Sequence, residues 1–186
     1  MYKDFLWVGE RLEARGLITA QGGNLSIRDG DKMIITRTES FLGDLKEDDL
    51  VTVPLDDGPL EGTAPSREWM VHRAIYKNSG AQAVVHAHPS FAVALSFLVD
   101  HIDTVDAEGL LLLGKVPVVS AQSVVASQEV AYKIGEIAHD TSAVMVKGHG
   151  SFVWGKDLRE AYSLTTTLDA SARILFNLTV VMTRGR

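Results

Sequence analysis

Cysteine is absent from the 186 residues of the chain. Its absence excludes disulfides, thiolate-bound zinc fingers and cysteine nucleophiles, and it permits a reducing compartment without proving one. Positive charge is also scarce, because 18 Lys and Arg against 24 Asp and Glu leave a formal net charge of −6. A mildly acidic chain without a basic stripe argues against nucleic acid as the main partner.

Long apolar runs are missing as well. The longest lie around residues 110–113 and 174–182, well short of the ~20 residues that cross a bilayer. Residues 1–4 lack the basic segment and apolar run of a secretory signal. The composition and length are those of an ordinary globular domain. We therefore expect one soluble domain over residues 1–186, located in the cytoplasm, with no membrane partner.

The hydrophobic patterns predict strands interspersed with helices. Helical patterns, with Ser66, Ser127 and Asp157 as caps, cover residues 3–15, 67–78, 89–98, 127–139 and 157–182. Strand patterns, with a hairpin turn at 29–31, cover residues 24–28, 33–36, 51–53, 83–87, 116–119, 143–146 and 152–154. This order predicts an α/β fold with a central sheet and helices on its faces, rather than a regular βαβ repeat.

Three histidines have the arrangement expected of a metal site. His86 and His88 lie at positions i and i+2 of a predicted strand and its exit, so both rings can point to one face. His149 lies between two glycines, which let the chain turn sharply. Three nitrogen ligands with an open fourth position are typical of catalytic zinc. The alternative is an incidental pair at a strand end and a turn histidine bonded to the backbone.

Other polar residues carry weaker signals. His72, His101 and His139 fall on predicted helical or loop surface, so we interpret them as solvated or satisfied rather than as ligands. Glu68 begins a predicted helix, where an acid usually stabilises the helix dipole. Residues 22–26 read Gly-Gly-Asn-Leu-Ser, which can expose amides to an anion or serve as ordinary turn chemistry.

Together, these pieces resemble the class II aldolase/adducin family and occur in its order. The matching segments are Gly-Asn-Leu-Ser at 23–26, Ile-Ile-Thr-Arg-Thr at 34–38, Pro-Ser-Arg-Glu at 65–68, His-Ala-His-Pro at 86–89, Gly-Lys-Val-Pro-Val-Val at 114–119, Lys-Gly-His-Gly at 147–150 and Trp-Gly-Lys-Asp at 154–157. The resemblance covers roughly residues 16–172. It implies a three-layer α/β/α domain with a central, largely antiparallel mixed sheet, and a homotetramer with active sites at subunit interfaces.

The resemblance also implies roles for individual residues. The family's metal-ligand positions correspond to His86, His88 and His149, and the ion is Zn²⁺, with Mn²⁺ or Co²⁺ as alternatives. Glu68 corresponds to the catalytic acid/base, which can also ligate the metal when substrate is absent. The family's phosphate-binding positions correspond to Asn24, Thr38 and Ser66.

The implied activity is that of a zinc-dependent aldehyde-lyase. It would cleave a small ketose 1-phosphate, similar to fuculose 1-phosphate, to dihydroxyacetone phosphate and a short aldehyde. A divalent ion stabilises the enediolate as a Lewis acid, and a carboxylate beside it moves the proton. Epimerisation, dehydration and decarboxylation on the same metal site are alternatives, although Glu68 favours cleavage because the related pentulose-phosphate epimerases usually carry aspartate there. The remaining alternative is a non-catalytic adducin-like interaction module, a class that tends to lose the histidines.

The chain departs from the family pattern at three places. Glu39 stands where a glycine amide usually contacts phosphate, and Arg67 stands where a second serine is common. We expect Glu39 to pair with Arg37 or Arg67 and turn outward, so that phosphate still binds; otherwise its charge weakens the pocket. A tyrosine expected in a later loop is missing, and Asp106 or Glu108 could replace it as the proton donor or be ordinary loop acids.

Overall fold

An eight-stranded sheet is the framework of the computed structural model, which describes residues 1–56, 58, 60 and 62–184. Its strands are β1 Asn24–Asp29, β2 Lys32–Thr36, β3 Leu50–Pro54, β4 Ala83–Ala87, β5 His101–Asp103, β6 Lys115–Val119, β7 Ala143–Val146 and β8 Gly150–Gly155. The helices of the described residues are α1 Tyr2–Ala14, α2 Trp69–Asn78, α3 Ser90–Ser96, α4 Ala107–Leu112, α5 Gln128–Ile137 and α6 Leu158–Arg184. Short 3₁₀ turns lie at Leu42–Asp44 and Glu47–Asp49.

The strands follow the order β3-β2-β1-β4-β8-β7-β6-β5. In the described part of the chain, the pairings are antiparallel except that between β6 and β7. The predicted α/β fold with a largely antiparallel mixed sheet is therefore confirmed. The central strand β4 is buried at all its positions, as expected for a strand covered on both faces.

Helices cover both faces of the sheet and give three layers. On one face, α2 and α5 pack together, and their apolar side chains join a core with Val84, Phe152 and Trp154. On the other face, α1, α3 and α6 pack over Val85 and Val153. Because side chains alternate along a strand, His86 lies on the same face as Val84, toward α2.

The predicted elements are confirmed, with small shifts at their ends. Ser127 and Asp157 act as caps, because they accept hydrogen bonds from the backbone N–H groups of Val130 and Glu160. The prediction for Ser66 was wrong. Helix α2 begins at Trp69 after Glu68, and the Ser66 hydroxyl accepts a bond from the N–H of Glu68, outside the helix.

Two elements, β5 and α4, lie where a loop was expected. Helix α4 begins after Asp106, whose side chain accepts a hydrogen bond from the N–H of Gly109. Its consecutive leucines are mostly exposed, so the segment has no helical hydrophobic periodicity to detect. Among the described residues, no helix has the length and apolar character needed to cross a membrane. That residues 1–186 form one domain stays a prediction.

Candidate active site

A cavity of about 410 Å³ opens where β1, β4 and the turn before β8 meet. All seven residues predicted from the sequence line it, although they come from five separate segments of the chain: Asn24, Thr38, Ser66, Glu68, His86, His88 and His149. The sheet register explains part of this convergence, because Asn24 on β1 lies directly opposite His86 on β4. The fold therefore assembles the candidate metal ligands, the acidic residue and the candidate phosphate-binding residues around one space.

His86 is the most rigidly held of the three candidate ligands. It is 1% exposed, and its Nδ1 lies 2.9 Å from the carbonyl oxygen of Ser151. Since a carbonyl can only accept, Nδ1 carries the proton and Nε2 is left with a lone pair for a metal ion. The ring also stacks on Phe152 at a centroid distance of 4.2 Å.

The three histidines fit a divalent cation. Nε2 of His88 lies 3.0 Å from Nε2 of His86, and the ligand atoms of the group that includes His149 lie within 4.8 Å of one another. Two ring nitrogens that face each other this closely are favourable only with a proton or a cation between them. A set of three imidazoles with an open position suits catalytic zinc.

The protonation of these rings agrees with that fit. Burial lowers the pKa of His86 well below its ordinary value, with the neighbouring imidazoles adding to the effect. Burial, and then the charge of His149, lower the pKa of His88 to about 4. Burial also lowers the pKa of His149. All three are therefore neutral at neutral pH, which is the form that binds metal.

Glycine at position 150 allows β8 to approach the histidines. A Cβ atom built there would lie 2.5 Å from the carbonyl oxygen of Ala87 and 2.5 Å from Cδ2 of His88. Gly148, on the other side of His149, has φ +71°, a left-handed conformation that favours glycine. In the Gly-His-Gly sequence, Gly148 is therefore required by the backbone turn, and Gly150 is required by the close packing against β4 and His88.

Glu68 is buried beside the histidines, with 4% of the residue exposed. Its Oε1 accepts a hydrogen bond from the N–H of Ala126 at 3.0 Å and lies 3.9 Å from Nε2 of His149. Its Oε2 is buried and has no hydrogen-bond partner among the described residues. Burial raises the pKa of Glu68, whereas the Ala126 N–H and the charge of Arg67 lower it. Such a carboxyl group keeps its proton to a higher pH than an exposed glutamate does, which suits a residue that transfers protons.

Ala126 is a site residue that the sequence did not reveal. It contributes its backbone N–H, so no side-chain type marks it. Its φ of +51° is unusual for a residue other than glycine, and the same holds for Glu39, with φ +61°. Glu39 lines the cavity, and Ala126 bonds to Glu68. Backbone strain in the described chain is therefore concentrated at the cavity, as is common at functional sites.

The wall of the cavity also carries the candidate phosphate-binding residues. Asn24 has a buried side-chain oxygen with no hydrogen-bond partner in the described part of the chain. The Ser66 N–H donates to the carbonyl of Thr36, which fixes this segment against β2. Thr38 is half-buried beside them. The side-chain amide of Asn24 and the hydroxyls of Ser66 and Thr38 are the polar, uncharged groups of this part of the wall.

The expected pairing of Glu39 with Arg37 was wrong. Arg37 binds Asp49 instead, with 2.6 Å between Nε and Oδ1. The Asp49 carboxylate is largely buried, so this ion pair holds the arginine away from Glu39. Of the ion pairs described here, none joins Glu39 to Arg67 either. Glu39 is nevertheless exposed, as expected for a side chain turned outward.

Neither alternative proton donor lines the cavity within one chain. Asp106 caps α4, and the Ser171 hydroxyl and the Gly109 N–H lower its pKa, which favours the charged form over a proton-donating one. Oε1 of Glu108 lies 3.5 Å from Oγ1 of Thr167 on α6. A role for either acid across a subunit boundary stays a prediction.

The remaining histidines differ from one another. His101 and His139 lie at the surface, within 3.1 Å of the carboxylates of Asp103 and Asp140, respectively. His72 was expected at the surface, and this was wrong: it is 0% exposed. Because its helix packs on the sheet just behind the cavity, position 72 faces the core.

The sequence matches the class II aldolase and adducin N-terminal domain family over residues 3–176. An L-fuculose phosphate aldolase of Methanocaldococcus jannaschii is 33% identical over 183 residues, covering 96% of this chain and 97% of that protein. A 3-oxo-tetronate 4-phosphate decarboxylase of Haemophilus influenzae is 31% identical over 179 residues, covering 92% and 84%. The crystal structure of L-fuculose-1-phosphate aldolase from Thermus thermophilus has a TM-score of 0.94 at 40% identity, covering 100% and 97%.

Proposed function

Because the chain belongs to the class II aldolase and adducin family, we propose that it is a metal-dependent aldolase that cleaves a small ketose 1-phosphate to dihydroxyacetone phosphate and a short aldehyde. The observation that carries this proposal is the single cavity that joins three neutral histidines, a buried glutamate and a polar wall. The names of two similar proteins, which are fuculose phosphate aldolases, support a phosphorylated sugar as substrate.

His86, His88 and His149 would hold the cation, with Zn²⁺ as the first choice and Mn²⁺ or Co²⁺ as alternatives. When bound, a divalent cation supplies Lewis-acid stabilisation of negative charge on substrate oxygens. The protein's own part is to keep the three imidazoles neutral and to orient His86 through the Ser151 carbonyl.

Glu68 is proposed to transfer the proton. Cleavage of the bond between C3 and C4 leaves an electron pair on the three-carbon fragment, while the C4 hydroxyl loses its proton as the aldehyde forms. One carboxyl oxygen of Glu68 is anchored by the Ala126 N–H, and the other is buried without a partner among the described residues. That second oxygen, Oε2, is free to carry a proton to or from the substrate.

Asn24, Thr38 and Ser66 are proposed to bind the phosphate. The side-chain amide of Asn24 can rotate to present its NH₂ group, and the two hydroxyls donate as well. Arg37 is neutralised by Asp49, and Arg67 is exposed, so uncharged donors would make most of the contacts.

Decarboxylation is the second candidate reaction, because a decarboxylase of a small phosphorylated sugar acid is 31% identical over most of the chain. Epimerisation or dehydration would use the same cavity. A non-catalytic adducin-like module fits less well, since all three histidines and Glu68 are present and lie together.

We also propose a cytoplasmic homotetramer with active sites between subunits. Helix α4 presents Leu110, Leu111 and Leu112 to solvent, with 60%, 83% and 42% of each residue exposed. Adjacent exposed leucines are typical of an association surface. Light scattering on the purified protein at micromolar concentration should give about four times the mass of one chain, and a monomer mass would contradict the proposal.

A product assay tests the reaction. Zn²⁺-loaded protein would be incubated with dihydroxyacetone phosphate and a panel of short aldehydes, and in parallel with 3-oxo-tetronate 4-phosphate. Mass spectrometry of condensation products, with measurement of released CO₂, separates the reactions. Condensation supports the aldolase, CO₂ release alone supports the decarboxylase, and the absence of both despite tight Zn²⁺ binding would contradict both.

A further inference from the structure

A buried histidine that the proposed chemistry does not use lies directly behind the cavity. His72 is one helical turn beyond Glu68 on α2, and its backbone N–H lies 3.3 Å from the carbonyl oxygen of Glu68. The residue is 0% exposed. Fully buried imidazoles are uncommon without a structural or functional reason, because a polar ring loses its hydration on burial.

One ring nitrogen of His72 binds the strand that carries Asn24. Nδ1 lies 2.6 Å from the hydroxyl oxygen of Ser26, which lies 2.7 Å from the hydroxyl of Tyr76. Ser26 is two residues beyond Asn24 on β1, so both side chains lie on the face toward α2. The other ring nitrogen, Nε2, is buried without a hydrogen-bond partner among the described residues.

The ring of His72 also touches the support of a candidate metal ligand. The rings of His72 and Phe152 pack in a T-shaped arrangement, with a centroid distance of 5.7 Å and an interplanar angle of 83°. Phe152 lies opposite His86 in the sheet register and stacks on its ring at 4.2 Å. His72 therefore connects the helix that begins beside Glu68 to two strands: β1, which carries Asn24, and β8, whose Phe152 stacks on His86.

The charge state of His72 suits this place. Burial lowers its pKa to about 3, so the ring is neutral at neutral pH. A positive charge there would repel a cation bound by the three histidines. Nothing in this environment suggests that His72 itself exchanges protons with a substrate.

We propose that His72 is a positioning residue, which holds the start of α2 in register with β1 and β8 and so fixes Glu68 relative to His86. The proposal rests on the roles proposed above for Glu68 and the three histidines. It differs from a purely structural role, in which His72 would add stability but leave the site geometry unchanged. Partners that orient metal-binding groups typically contribute ~10–100-fold to metal affinity or activity.

Three variants separate the two roles. His72→Phe keeps a ring against Phe152 but loses the bond to Ser26, and Ser26→Ala removes the same bond from the other side. Tyr76→Phe is the matched control, because it removes the other hydrogen bond of Ser26 and leaves that of His72. If His72→Phe does not fold, Ser26→Ala carries the test alone.

Zn²⁺ affinity, measured by calorimetric titration of the metal-free proteins, is the first readout, and steady-state kinetics are the second. We expect His72→Phe and Ser26→Ala to weaken Zn²⁺ binding about 10-fold and to lower kcat ~10–100-fold with KM within twofold. The double variant, with His72→Phe and Ser26→Ala combined, should lose no more Zn²⁺ affinity or kcat than the more affected single variant, because both substitutions remove the same hydrogen bond. Tyr76→Phe should lower the melting temperature yet leave both readouts within twofold.

The opposite result would overturn the proposal: lower melting temperatures in all three variants, with Zn²⁺ affinity and kcat within twofold of wild type. The Zn²⁺ titration needs no substrate. If the wild-type protein cleaves no ketose 1-phosphate, the proposed function fails while the titration still decides the role of His72.

Discussion

Two parts of the cavity wall are built differently: the histidine end, formed by His86, His88 and His149, and the phosphate-binding end, formed by Asn24, Thr38 and Ser66. The histidine end lies on β4 and on the tight turn before β8, and its ring orientations are set by buried neighbours and a carbonyl. The phosphate-binding end lies mostly on loops, where Thr38 is half-buried and Glu39 and Arg67 are exposed. A metal site requires fixed ligand positions, which a sheet provides. Residues on loops that bind the substrate's end group can change without disturbing the sheet.

The largest effect is expected at the rigid end. His88→Ala should remove most of the bound metal and all activity while leaving the fold intact, because two imidazoles hold a divalent ion far less tightly than three. Elemental analysis and circular dichroism measure the two properties. His139→Ala, at an exposed histidine, is the control and should change neither. Full zinc occupancy in His88→Ala would disprove the assignment.

Glu68→Gln should lower kcat ~10²–10⁴-fold, the usual contribution of a general acid or base, with zinc retained. The amide keeps the size and the bond from Ala126 but cannot take a proton at the second oxygen. Steady-state kinetics and metal analysis on the same sample provide the measurement. A variant within twofold of wild-type kcat would leave Glu68 as an ordinary acid at a helix start.

Gly150→Ala should disturb the histidine end through packing alone. The added Cβ would overlap the Ala87 carbonyl and the ring of His88, and forced overpacking costs typically ~1–3 kcal/mol of stability. Denaturant unfolding of the metal-free protein measures this cost, and Zn²⁺ titration should show weaker binding. Gly30→Ala is the control for replacing a glycine without overpacking, because no atom lies within 4 Å of a Cβ built at Gly30. Its φ of +62° adds backbone strain but no steric overlap. Equal Zn²⁺ affinity in the two variants would argue against close packing at Gly150.

At the loop end, Glu39→Gly should stabilise the fold by about 1 kcal/mol, because φ +61° is strained for residues other than glycine. It should also tighten binding of a ketose 1-phosphate but not of an unphosphorylated analogue, because it removes a carboxylate from the cavity rim. Glu39→Gln separates the causes, since it removes the charge and keeps the strain. Calorimetric titration of the variants and of wild type with both ligands measures these affinities. Equal affinities of Glu39→Gly and wild type for the ketose 1-phosphate would show that Glu39 does not affect phosphate binding.

The smallest effect concerns pH. Burial raises the pKa of Glu68 above its unfolded value of 4.5. The unfolded chain therefore loses this proton first, and the group lowers stability progressively as pH rises from the unfolded pKa through the folded one. For the metal-free protein, the melting temperature of Glu68→Gln relative to wild type should rise as the pH is raised from the unfolded value of 4.5 through the neutral range. A constant difference across that range would show that Glu68 is not perturbed by burial.

Secondary structure was predictable wherever burial imposed a period on the sequence. Helix α5 has this pattern, whereas strand β4 is buried on both faces and is recognised by its continuous run of β-forming residues. Both positions are as predicted. Helix α4 was missed because its leucines are exposed, so they follow no buried face. The assignment of Ser66 as a cap failed because a serine hydroxyl can accept from a backbone N–H in the turn before a helix as readily as within it.

The sequence by itself determined which chemical groups the site contains: three histidines and a glutamate in a family-specific order. The alternation of side chains along β4 and its exit also predicts that His86 and His88 point to one face. Only the tertiary structure decided how those groups are tuned. Three features depend on contacts between separate segments of the chain: the hydrogen bond from the Ala126 N–H to Glu68, the ion pair between Arg37 and Asp49, and the burial of His72. A backbone amide has no residue-type signature, and the burial of a histidine depends on what packs over it, so neither can be deduced from local sequence.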